Sequence, residues 1–195
     1  MAMWREPRSN INYLEGFYLF GGFDERNVLQ NDLWLIRPDY YFNRDALSLV
    51  DCDFVGDLHL GMSISKIEDF RGMPPCPRTQ FQMTHLCNSR THTQLLVIYG
   101  GRNDNIYEET NNIGLNDICI FNINTKTWES LAIFGEMPCS RWSHVITQVR
   151  GDSKEDEEGF IMLGGVNLKS YCSSTLWNFT LHDQDKSKFK ARKIS

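Results

Sequence analysis

Gln94-Leu95-Leu96-Val97-Ile98-Tyr99-Gly100-Gly101 is the stretch on which the fold of this chain turns. A short apolar run with β-branched and aromatic residues, closed by glycines, reads as a buried β-strand. After a polar loop at 102–115, Asn116-Asp117-Ile118-Cys119-Ile120-Phe121-Asn122-Ile123 reads as the next strand. Asn124-Thr125-Lys126 then forms a tight polar turn into Thr127-Trp128-Glu129.

The same skeleton occurs twice more. Upstream, Gly16-Phe17-Tyr18-Leu19-Phe20-Gly21-Gly22 leads through a polar loop to Asn31-Asp32-Leu33-Trp34-Leu35-Ile36. Downstream, Gly159-Phe160-Ile161-Met162-Leu163-Gly164-Gly165 is followed by Ser174-Thr175-Leu176-Trp177-Asn178-Phe179. Three copies in one chain make an internal repeat, which has to be read before any single residue. The paired glycines permit backbone angles closed to other residues and let neighbouring backbone approach. A second motif recurs ahead of two of the copies, as Pro75-Cys76-Pro77-Arg78 and Pro138-Cys139-Ser140-Arg141.

Further strands are expected at 46–50 and 58–65, at 79–86 pairing with 94–99, at 128–131, at 142–150, and in the basic tail at 186–193. Residues 1–15 read as irregular, and Pro38 is expected to end the strand before it. Nearly all of the chain is strand and turn, with about four strands per repeat.

Composition is that of a globular protein, with 41% hydrophobic and 23% charged residues. The formal charge of -5 argues against nucleic acid as the main partner. The sequence contains no run of apolar residues long enough for a membrane helix and no signal-peptide h-region. The cysteines at 52, 76, 87, 119, 139 and 172 form no CxxC pair and read as single thiols in a reducing compartment.

At Gly100-Gly101, Phe121, Trp128 and the Pro-x-x-Arg segments, the chain resembles kelch repeats across most of 16–182. The resemblance implies an all-β fold: a partial kelch-type β-propeller of four-stranded antiparallel blades, open or completed by a partner. It divides the chain into an extension at 1–15, a divergent first blade with an insertion at 16–71, a second blade at 72–134, and a third at 135–195 that carries the basic tail. Gly21 and Gly100 are 79 residues apart, and Gly100 and Gly164 are 64 apart. Both exceed the roughly 50-residue kelch period, which points to insertions. Propellers close with about 4–8 blades, so about three leave hydrophobic faces exposed at the ends. A fragment, a self-associating arc and an obligate subunit all fit that pattern.

The expected function is a non-catalytic protein–protein interaction scaffold or adaptor within a multiprotein assembly. It needs no cofactor, and its ends are covered by a protein partner or by self-association. The alternatives are an oxidoreductase or other enzyme with its site on the propeller axis, and a nucleic-acid-associated subunit acting through the tail. The resemblance places it in the cytoplasm, with cytoskeletal or ciliary proteins among its relatives.

The residues expected to touch a partner are Asp104, Tyr107, Glu108 and Glu109 in one loop and Glu155, Asp156, Glu157 and Glu158 in another. Trp142 is expected to be exposed beside them. Gly21, Gly22, Arg78, Gly100, Gly101, Asp117, Trp128, Arg141, His144, Gly164 and Gly165 are the structural repeat positions. Asp117 is expected to pair with Arg141, and His144 to hydrogen-bond between blades. Trp34, Trp128 and Trp177 are expected to pack between sheets. The histidines at 59, 85, 92, 144 and 182 show no metal-ligand spacing.

Overall fold

The computed structural model describes residues 2–4, 16–41, 59–87, 93–149, 159–169, 175–181 and 188–194. Four strands make a first sheet in the order β1-β2-β3-β4: β1 (Ala2–Trp4), β2 (Gly16–Phe23), β3 (Leu29–Tyr41) and β4 (His59–Lys66). All its pairings are antiparallel. The two-residue period of a strand sends alternate side chains to opposite faces. Tyr18, Phe20, Leu33 and Leu35 therefore share one buried face.

The remaining strands are β5 (Gln82–Cys87), β6 (Gln94–Tyr99), β7 (Ile118–Asn122), β8 (Thr127–Gly135), β9 (Val145–Val149), β10 (Gly159–Leu163), β11 (Leu176–Leu181) and β12 (Lys188–Lys193). They form one continuous eight-stranded sheet in the order β5-β6-β7-β8-β12-β11-β10-β9. All eight strands belong to two four-stranded antiparallel meanders, and the join between the meanders is the parallel pair β8–β12, from Lys188↔Ala132 to Ala191↔Gly135. At the other end β5 and β9 approach without a ladder between them. Just ahead of these strands, Ser143 N donates to Gln80 O at 2.9 Å. The sheet is thus a nearly closed barrel with a seam at β5/β9.

Eight strands enclose a space that side chains can fill completely. Here Leu95, Val97, Tyr99, Ile118 and Ile120 from one half meet Ile146, Phe160, Met162, Trp177 and Phe179 from the other. Phe160 and Phe179 stack at 4.6 Å between centroids. The opposite face of β5–β8, with Met83, Leu96, Ile98, Phe121 and Trp128, packs on the buried face of the first sheet. Strand β6 is consequently buried at all six positions, which is why Leu95–Tyr99 form an unbroken apolar run after Gln94.

This architecture corrects the expected fold. The chain is all-β, but it is not a series of separate four-stranded kelch blades; one sheet continues across the second and third repeat units. The sequence repeat encodes a local strand–turn–strand module and says nothing about what happens at the module's outer strand. An outer strand carries unpaired N–H and C=O groups. In this chain β8 and β12 satisfy each other's, so two modules merge into one sheet.

Individual elements depart from expectation for equally local reasons. Strand β3 runs through Pro38, which pairs with Met62 of β4. The ladder with β2 reaches only Ile36↔Phe17, so Pro38 lies where β3 has lost that neighbour, and its missing N–H costs no bond there. Residues 2–4 form a strand where irregular chain was expected. The basic tail is an inner strand of the eight-stranded sheet. The expected strand at 46–50 lies outside the described residues.

Candidate functional site: an uncovered sheet face

The charged repeat positions are built for structure. Arg78 is fully buried, and its guanidinium grips Asp117 in bidentate fashion, Nη1–Oδ1 2.8 Å and Nη2–Oδ2 2.7 Å. Nη1 also donates to the Gly100 carbonyl at 3.0 Å and Nε to the Cys76 carbonyl at 3.2 Å. Arg141 repeats the arrangement on the Gly164 and Cys139 carbonyls, at 2.9 and 3.2 Å. Where Arg78 meets Asp117, however, Arg141 meets the Thr175 hydroxyl at 2.8 Å. The expected Asp117–Arg141 pair is therefore replaced by Asp117–Arg78: the arginine bonds within its own repeat unit, behind the turn that carries it. Asp32 pairs with Lys66 at 3.1 Å.

Burial alone would raise the Asp117 carboxyl; hydrogen bonds from Arg78 and its charge outweigh this and hold it below the usual range. Burial, with Asp117 close by, pushes the neighbouring Cys119 thiol up to about 12, which removes it as a nucleophile. His144 is buried against Tyr99, ring centroids 5.4 Å apart. Burial, and then the Arg141 charge, lower it to about 4, against a smaller opposing contribution from the Tyr99 backbone. Neither ring nitrogen has a well-formed hydrogen bond among the described residues. His144 packs between the two Gly-Gly corners at 100–101 and 164–165.

Of the residues expected to touch a partner, Asp104, Tyr107, Glu108 and Glu109 are exposed on a 3-10 turn (Asp104–Ile106) and a one-turn helix α1 (Tyr107–Thr110). Asp104 is tied to Arg102 at 2.6 Å, which offsets one of the loop's three carboxylates. Trp142 is buried, contrary to expectation, beneath the Arg102 guanidinium at 5.4 Å. Glu155, Asp156, Glu157 and Glu158 lie outside the described residues, as do His92 and His182. Among the described residues no three His, Cys, Asp or Glu side chains are placed to hold a metal ion, and no helix is long and apolar enough to cross a membrane.

The prominent feature is one that reading the sequence missed. The first sheet has its buried face on β5–β8, and its other face is largely uncovered. On that outer face the register aligns Phe17, Ile36 and Ile64 in one row and Leu19, Trp34 and Lys66 in the next, with Met62 beyond. Met62 is 68% exposed, Ile64 64% and Leu19 44%. Phe17, Trp34 and Ile36 are half-buried. Trp34, expected between sheets, instead lies on this surface with the Lys66 ammonium 6.0 Å from its ring, while Trp128 and Trp177 are buried in the two cores as expected. The outer face ends at β4, which among the described residues is an edge strand with an open row of backbone groups.

A signal for this face did exist. Phe17 to Phe20 and Leu33 to Ile36 are apolar on both strand faces, the pattern of a strand covered on both sides. The described chain covers one side. Contiguous exposed apolar surface of this kind marks an interaction site.

The fold and the site define an all-β domain with a nearly closed eight-stranded barrel, flanked by a four-stranded sheet whose outer apolar face and edge are open among the described residues. No protein-family model matches the chain, and no curated protein matches it either. The kelch resemblance thus fails on two counts: no family model supports it, and the sheets are not joined as separate blades. The scaffold reading and the axial enzyme site, both built on a propeller, fall with it. The basic tail is an inner strand, held on both edges by β8 and β11.

Proposed function

We propose that the chain is a protein-association domain without catalytic activity, acting through the outer face of β2–β4. One observation carries this reading: Leu19, Met62 and Ile64 share a sheet face with Phe17, Trp34 and Ile36 and stand in solvent beside an edge that is unpaired among the described residues. Covering such a face removes apolar area from water at about 25 cal/mol per Å², and the edge offers main-chain hydrogen bonds to an added strand. The titratable groups support the non-enzymatic reading, since Arg78, Asp117 and Cys119 are spent on one another in the fold.

A photo-crosslinking residue at position 64 tests the reading, with one at Glu129, on an exposed part of β8, as control. Discrete protein adducts from position 64 alone, whether to this chain or to another, are expected. Equal diffuse labelling from both positions would sink it.

A further inference from the structure

The chain contains its own template for covering that face. The first sheet docks on β5–β8 with Gly22 N donating to the Arg78 carbonyl at 2.9 Å and Arg78 N to the Gln30 carbonyl at 3.3 Å. The half-barrel β5–β8 meets β9–β12 in the same way, Gly101 N to the Arg141 carbonyl at 3.0 Å and Arg141 N to the Leu115 carbonyl at 3.0 Å. The glycine corners match: φ is 60° and 90° at Gly21 and Gly22, and 60° and 97° at Gly100 and Gly101. One junction is thus made twice, each time joining the same two kinds of face.

On the receiving side of the first junction are Leu96, Ile98, Phe121 and Trp128, and in the second Phe160, Met162, Trp177 and Phe179. By position in the repeat, the counterparts of Leu96 and Ile98 in the first unit are Phe17 and Leu19, which lie on the exposed outer face. On the presenting side are Tyr18, Phe20, Leu33 and Leu35, then Val97, Tyr99, Ile118 and Ile120. Their counterparts in the last unit include Ile161 and Leu163. These lie on the outer face of β9–β12, where Val145, Leu163 and Leu176 form one row that Ile194 extends. Val145 is 61% exposed, Leu163 51% and Ile194 55%. Gly164 and Gly165 beside them keep the corner geometry, φ 70° and 97°. Among the described residues, one receiving face and one presenting face of a junction that the molecule already makes internally are therefore unused.

We propose that a second copy of this chain is the partner, docked head to tail: the β9–β12 outer face of one copy seats on the β2–β4 outer face of the next. The proposal rests on the association reading above and names its occupant. The interface is heterologous, so it either closes into a ring or propagates. Lys190 and Arg192 on the presenting face set its polar rim.

Sedimentation velocity of the full chain over a wide concentration range tests this, with Ile64→Lys on the receiving face and Leu163→Lys on the presenting face. The wild type is expected to associate, and each variant to weaken association by roughly tenfold or more. An equimolar mixture of the two variants is expected to form a complex that stops at one copy of each, because one intact face of each kind remains. Complementation also shows that both variants fold. A monomeric wild type, a Leu163→Lys variant that associates normally, or a mixture no more associated than its components overturns the head-to-tail association. Adducts from position 64 to another protein, with a monomeric wild type, would defeat this proposal while sparing the broader reading; absence of specific adducts would defeat both.

Discussion

At the scale of residues, two buried arginines in matching cradles differ in their counter-group. Arg78 has the Asp117 carboxylate and Arg141 has the Thr175 hydroxyl. Removing one partner of a buried charge pair leaves the other uncompensated. Asp117 retains partial solvent exposure, so Asp117→Asn is expected to cost about 2 kcal/mol, below the usual range for a fully buried pair. Combined with Arg78→Met it should show coupling of about 1 kcal/mol or more by denaturant titration, and much weaker coupling with Arg141→Met. His144 supplies a pH signature. Its folded value of about 4 lies below the ordinary 6.5, so between these values the unfolded chain binds more protons and stability rises with pH. Acidification from 6.5 towards 4 should remove about 3 kcal/mol. His144→Phe, which copies Phe81 at the same repeat position, should flatten that window. Asp117, held low, contributes stability that is lost only at more acid pH, as its folded value is crossed.

At the scale of elements, the glycine corners determine how the sheets meet. A Cβ on Gly101 would lie 2.7 Å from the Phe81 Cβ and 2.8 Å from the Thr79 carbonyl oxygen, whereas one on Gly22 would meet nothing within 4 Å. Both residues have positive φ. Gly22→Ala should therefore cost only the backbone strain, about 1–2 kcal/mol, and Gly101→Ala clearly more, with thermal unfolding as the readout. The β7–β8 turn is made by the Asn122 side chain, whose Oδ1 accepts from Asn124 N and Thr125 N. Side-chain mimicry of this kind explains why a polar triplet suffices to reverse the chain.

At the scale of the whole molecule, the β8–β12 pair makes two meanders into one barrel. Amide exchange should find residues 132–135 protected in the full chain, and ending the chain before residue 188 should expose them along with the free side of β11. Loss at β11 alone, with 132–135 still protected, would show that the halves do not depend on the parallel join. The same reasoning applies between molecules. Among the described residues β4 and two apolar faces stay open, and the proposed association would cover them in the way that β12 covers β8.

What the residues determined by themselves was local. Alternating and continuous apolar runs, glycine pairs and the Pro-x-x-Arg turns specified the strands, their antiparallel neighbours and the burial of Arg78, Arg141 and Trp128, because each depends on contacts within one repeat unit or its immediate neighbour. Tertiary structure alone decided that β8 pairs with β12, that Asp117 belongs to Arg78 instead of Arg141, that Trp142 is buried, and that the outer face of β2–β4 is left uncovered. The physical reason is common to all four. A backbone hydrogen-bonding edge and an apolar strand face declare that they need covering, but any edge or face of the right register and shape can provide it, and the choice is made by how the sheets stack in space.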